Sequence, residues 1–180
     1  NPFYPAFERG IQGVAGQAGY DLLTYNTDGT PEKERKFLQS ARSGRMDGVI
    51  VRFFHVPLAE CVPLVEAGIG VVSLTSEPPP ADSAPIDTVA IDGQQAAAVA
   101  VSYLIARGHR AIGLLAGEAG SRAQARRTLG YRDALVSGGL AYDERLVRQC
   151  EFTEAGGYAA TLDLMKEATR PTAIFATNDL

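Results

Sequence analysis

The sequence is short of almost everything that marks a catalytic, metal-binding or membrane protein. Two histidines and two cysteines in 180 residues leave little for a metal or nucleophile constellation. Cys61 and Cys150 stand alone, with no CxxC and no Cys/His spacing, which reads as buried reduced thiols in a reducing compartment. His109 falls in a helix-to-strand turn and His55 in a loop, so no Ser/His/Asp set can be assembled. There is no nucleophile elbow and no GxGxxG, which argues against a doubly wound enzyme and against a bound cofactor. No apolar run reaches the 18 or so residues that cross a bilayer, and no signal-peptide pattern is visible. With a formal charge of −4 and no run of five basic residues, this segment has no footprint for a phosphate backbone.

What is present is a regular alternation of strand-like and helix-like segments. The organising stretch is 86–135. Residues 88–91 read as a strand, and Asp92 as an N-cap with Gln95 closing a capping box. A helix follows to Arg107 and stops at Gly108. Residues 111–116, Ala-Ile-Gly-Leu-Leu-Ala, form a compact apolar run, as in a strand buried on both faces of a parallel sheet. Its carboxyl end opens into a polar loop, 117–124, where ligands of open α/β sheets bind.

Earlier in the chain, residues 5–18 have helical periodicity, with Gly10, Gly13, Gly16 and Gly19 at every third position for close packing. Residues 20–25 and 46–52 read as strands. The helix between them, 32–42, takes Thr30 as N-cap and Pro31 as N1. A helix at 57–67, a strand at 71–74 and a rigid excursion at 77–85 with four prolines complete the first half. After 124–137, another helix, come a strand at 146–149, a helix at 154–168 and a strand at 172–177. Strands separated by helices of ten or more residues imply right-handed βαβ crossovers and parallel sheets: the class is α/β.

Six motifs occur in order: Asn1-Pro2-Phe3-Tyr4, Gly19-Tyr-Asp-Leu-Leu, Asp47-Gly-Val-Ile-Val, Gly108-His-Arg-Ala-Ile, Arg127-Thr-Leu-Gly-Tyr, and Arg170 to Asp179. Together with Leu104 to Arg110 they resemble the effector-binding core of the lactose-repressor (LacI/GalR) family of transcription regulators, over essentially the whole chain. The resemblance implies a periplasmic-binding-protein-like type I fold. Two Rossmann-like lobes with parallel sheets would then hold the ligand in a cleft, with 1–117 as the N-terminal lobe and 118–180 as part of the C-terminal lobe. Relative to that family the chain lacks the helix-turn-helix headpiece, the hinge and the first and last strands, and so reads as a fragment. The implied partners are a carbohydrate-like effector, operator DNA through the missing headpiece, and a second copy in a cytoplasmic homodimer. The alternative from another class is a periplasmic sugar-binding protein of an ABC transporter.

The resemblance also nominates site residues. Phe3 and Tyr4 match an aromatic stacking position, or form a hydrophobic staple. Asp28 is a polar contact or a self-solvating loop residue, and Arg52, at a strand end, a contact or a surface cation. Ser121 and Arg127 flank the loop after 111–116. Arg127 matches the family arginine that reaches ligand oxygens, unless it pairs on the helix surface. Phe152 matches a ring that packs on the ligand, or belongs to the core. Asn178 and Asp179 offer an amide and a carboxylate to hydroxyls, or cap a helix. At Thr75-Ser76 the chain departs from the family's common Asp-Arg.

Overall fold

The computed structural model describes residues 3–44, 46–75, 86–117 and 122–179. The chain separates into two compact units, 1–49 with 53–71 and 50–52 with 72–180. The strands among the described residues form two three-stranded sheets.

In the first unit, α1 (Phe3–Gln17) contributes no buried residue. Gly10, Gly13 and Gly16 have open space where a Cβ would stand, so the close packing expected of this glycine run is not made among the described residues. The strand expected at 20–25 is absent too. No described backbone pairs with it, and a strand is defined by the ladder it shares. Tyr20 and Leu23 are accordingly exposed. Helix α2 (Pro31–Ala41) starts after Thr30, as expected, yet the Thr30 hydroxyl donates to Thr27 O instead of capping α2. Its inner face is Glu34, Phe37, Leu38 and Ala41, an i, i+3, i+4, i+7 stripe. The helix expected at 57–67 is a 3-10 turn, Leu58–Cys61, followed by the short α3 (Val62–Glu66). Pro63 explains the break: without an N–H it can stand in a first helical turn but cannot continue one.

Strands β1 (Gly48–Val51), β2 (Gly70–Thr75) and β3 (Asp87–Ala90) form one sheet in the order β1-β2-β3. β2 and β3 run parallel, with Val72 opposite Asp87 and Thr75 opposite Ala90.

The second sheet is built on β4 (Ile112–Ala116), all five residues of which are buried. It is flanked by β5 (Val147–Gln149) and β6 (Ala173–Ala176), both parallel to it. Ile112, Leu114 and Ala116 face α4 (Gly93–Ala106) and α5 (Arg122–Ser137), joining Val101, Tyr131, Ala134 and Leu135 in one core cluster. Leu115 points the other way, to Leu146 and to Ala160 and Leu164 of α6 (Glu154–Leu164). Asp92 caps α4 by accepting the amides of Gln94 and Gln95, and Gly108 ends it with a left-handed φ of 94°. Arg148 on β5 ties α6 to the sheet through Asp163 at 2.6 Å, and it also holds Glu167, beyond the end of α6, at 2.5 Å.

β4 ends one residue before Gly117, yet it pairs with β5 and β6. The change of sheet therefore falls between Ala90 and Ile112.

Tyr131 is fully buried, and its hydroxyl donates to Ile112 O at 2.7 Å. Burial first, and the neighbouring Tyr142 and Asp143 next, push its pKa up to about 12. A raised folded pKa stabilises the fold below the unfolded value of about 10 and is lost as pH climbs from there to 12. Tyr131→Phe should cost about 1–2 kcal/mol at neutral pH, for the bond lost and the carbonyl left unpaired. By pH 11 it should also remove about 1.4 kcal/mol of alkaline destabilisation, half of the roughly 2.7 kcal/mol reached above pH 12. Urea titrations at pH 7 and pH 11 check both effects, and equal losses at the two pH values would refute the assignment.

Candidate functional site

The carboxyl ends of β4, β5 and β6 converge in the second unit. β4 runs out at Gly117, where a Cβ would lie only 2.1 Å from the Phe152 ring. Only glycine lets that ring seat itself over the end of the central strand. Phe152 keeps 42% of its surface exposed, so it is a partly open ring and not a core residue. Cys150, Glu151, Phe152, Thr177 and Asn178 line a small depression of about 20 Å³ there, room for roughly one water. A sugar could not be enclosed in it; it is a floor.

Arg127 reaches this end from α5. Its Nη1 donates to Thr177 O at 2.8 Å, and its stem lies against Gly93, whose Cβ would stand 3.5 Å from Cγ. Thr177 is buried and donates its hydroxyl to Leu115 O at 3.0 Å, which fixes the carbonyl that Arg127 uses. Among the described residues Arg127 spends one of its five N–H donors in this way. The Asn178 side-chain oxygen accepts the Asp179 amide at 2.8 Å, and Asp179 is exposed. Arg127, Phe152, Asn178 and Asp179 are thus gathered at one strand-end surface. Ser121 lies outside the described residues.

The other nominated residues stand elsewhere. Arg52 is at the end of β1, donating to Leu74 O on β2 at 3.0 Å. Phe3 and Tyr4 open α1 with rings 5.3 Å apart, edge to face, and Phe3 also stacks on Phe7 at 5.7 Å. Both rings remain partly exposed. Asp28, with a left-handed φ of 49°, is ion-paired to Lys33, which holds its carboxyl below the usual range.

Sequence reasoning missed two groups. Gln124 is buried at the start of α5. Glu34 is fully buried and accepts three consecutive backbone amides. The signal for Glu34 was its place in the helical stripe with Phe37, Leu38 and Ala41. Among the described residues no His/Cys/Asp/Glu group could hold a metal, and no helix is long and apolar enough to cross a membrane.

The carboxyl ends of these parallel strands, where open α/β sheets bind their ligands, thus carry an arginine, an amide and an open ring on an α/β fold. The chain belongs to the family of periplasmic binding proteins and sugar-binding domains of LacI-type regulators, whose family model matches residues 1–180. It is 28% identical over 183 residues to the HTH-type transcriptional regulator DegA of Bacillus subtilis, covering 100% of this chain and 53% of that protein. It is 32% identical over 182 residues to the regulator CelR of Thermobifida fusca, covering 99% and 52%. A solved structure of the regulator CelR with cellobiose superposes with a TM-score of 0.79 at 29% identity, covering 98% of this chain and 53% of that one. The chain thus spans about half the length of these relatives.

Proposed function

We propose that this chain is the ligand-sensing core of a LacI-family transcription regulator that binds a sugar or sugar-like metabolite. Arg127 and Asn178 would hydrogen-bond its hydroxyls while Phe152 covers an apolar face. The observation that carries this reading is the convergence of these three side chains at the carboxyl ends of β4, β5 and β6. Arg52, Phe3, Tyr4, Asp28, Ser121 and Asp179 are proposed as further contacts. The relatives are regulators and not enzymes, so the ligand is read as an effector and not as a substrate.

In the same reading, operator DNA is bound outside this segment, in the part of the relatives' length that it does not span. The protein acts in the cytoplasm as a homodimer, whose two-fold symmetry suits paired half-sites. The effector changes operator affinity by binding two arrangements of the core unequally. The lobes would divide where the sheet changes, in the segment joining β3 to β4.

A thermal-shift screen of the intact protein against cellobiose, lactose, maltose and their monosaccharides tests the ligand class. A sugar present at about 100 times its Kd should add about 2.7 kcal/mol. At roughly 2–4 °C per kcal/mol for a domain of this size, Tm should rise by about 5–11 °C. If no sugar moves Tm but a purine or amino acid does, the fold reading survives and the sugar reading fails. Binding with no effect on DNA affinity would favour the solute-binding alternative.

A further inference from the structure

The backbone leaves the first sheet just after β3. Asp92 stands two residues past Ala90, the end of β3, and is the N-cap of α4. The Ile91 amide still donates to Thr75 O of β2 at 3.2 Å, whereas the Gln94 and Gln95 amides donate to Asp92 Oδ1, both at 3.0 Å. The crossover is thus Ile91, Asp92 and Gly93. Its first residue is tied to one sheet, and its last already belongs to the helix that packs on the other.

Two consecutive residues of α5 bear on this crossover. The Arg127 stem lies on Gly93, where a Cβ would stand 3.5 Å from Arg127 Cγ and 3.9 Å from Arg126 Cβ. Arg126 brings Nη2 to 3.7 Å from Asp92 Oδ1, an ion pair too long for a hydrogen bond. Its Nε is buried and among the described residues has no partner. Nε and Nη2 form one edge of a guanidinium, the edge with which Arg145 grips Asp143 at 3.0 and 2.8 Å. Arg126 therefore stands beside a carboxylate without closing on it. A buried donor left unmade is unfavourable, and a small shift of the crossover against α5 would relieve it with a charge-assisted, two-pronged bond.

We propose that Arg126 is a latch on the crossover, a positioning residue that closes edge-on onto Asp92 when an effector seats against Arg127, and so favours the ligand-bound arrangement. This rests on the reading above that the effector binds two arrangements of the core unequally. Arg127 is the link, because the stem a ligand draws on lies against the residue next to Asp92.

The test uses the intact protein with cellobiose, lactose and maltose. Asp92→Asn keeps the cap, since asparagine caps as well as aspartate, but removes the charge that Arg126 faces. Asp92→Asn and Arg126→Gln should each weaken the bound sugar about three- to tenfold, and the double variant no further than either alone. Asp133→Ala is the control. It cuts the bond from Gln94 in the same helix seam, and should leave affinity unchanged. Wild-type affinity in Asp92→Asn, additive losses in the double variant, or an equal loss in Asp133→Ala each overturn the latch. If none of the three sugars binds the wild type, the sugar reading fails and hydrogen exchange without ligand decides the latch. The closed pair is sampled there too, so in Asp92→Asn the peptide spanning 90–96 should exchange about threefold faster, with 112–116 unchanged. Unchanged exchange at 90–96 overturns the latch on its own.

Discussion

Replacing Gly130 with alanine should lower the melting temperature by about 6–12 °C, an effect out of proportion to one methyl group. A Cβ at this position would lie 2.0 Å from Gln94 O and 2.9 Å from the Ala97 Cβ. The first of these is backbone of α4, already committed to its own helix, so no rotamer change relieves the clash. The helices must separate, and the seam they share is the upper layer of the second core. It holds Val101, Tyr131, Ala134 and Leu135 against β4. The seam is also pinned by Gln94 to Asp133 at 2.5 Å and Arg126 to Asp92 at 3.7 Å. Overpacking of this kind costs about 3 kcal/mol, and each kcal/mol moves Tm by roughly 2–4 °C in a domain of this size. Gly10→Ala supplies the contrast. Nothing among the described residues stands within 4 Å of a Cβ there, so helix propensity alone operates and Tm should hold or rise slightly. Calorimetric melts of the two variants decide the matter. A Gly130→Ala protein melting within about 2 °C of wild type would mean that the seam yields without cost.

That contact also shows where sequence reading stops. The apolar run at 111–116 was legible because burial on both faces leaves no polar position to obscure it, and β4 is buried throughout. The limits of α4 were legible because Asp92 and Gly108 each solve a backbone problem with local chemistry. Gly130 was read only as part of a motif, since nothing local says which helix passes 2.0 Å from it. Residues 20–25 have strand composition but no described partner, and composition cannot supply a ladder. Glu34 was missed for the opposite reason. A charge in a helix is normally a solvated face, and only the distant loop 54–56 gives this one a reason to be inside. In the candidate site, Arg127, Phe152 and Asn178 were nominated by resemblance. The ring seated on Gly117 and the carbonyl of Thr177 that anchors Arg127 are tertiary facts, as is the place of the sheet change.

Arg127→Ala should weaken sugar binding by roughly ten- to hundredfold and, because the residue is anchored, also destabilise the fold. The guanidinium is half-buried and aims along the end of β6, with Nη1 on Thr177 O and its stem on Gly93. An arginine held by one donor presents its remaining N–H groups in a fixed plane, which suits paired hydroxyl oxygens and loses little entropy when they arrive. One charge-assisted bond to a sugar hydroxyl is worth about 1.5–3 kcal/mol, which is that range of affinity. The bond to Thr177 O belongs to the folded state with or without ligand. Its loss should cost about 1–2 kcal/mol and a Tm drop of several degrees. Arg127→Lys separates the two roles: it keeps charge and much of the stem but not the planar fork. It should therefore recover most of the melting temperature while remaining at least tenfold weaker for the sugar. Titration calorimetry with a disaccharide that binds the wild type, paired with melting curves of each variant, gives both numbers. If lysine restored affinity along with stability, charge alone would suffice and the fork geometry would have no part in recognition. If neither variant changed affinity, Arg127 would be a brace between α5 and β6, and the ligand's hydrogen bonds would have to come from Asn178 and its neighbours.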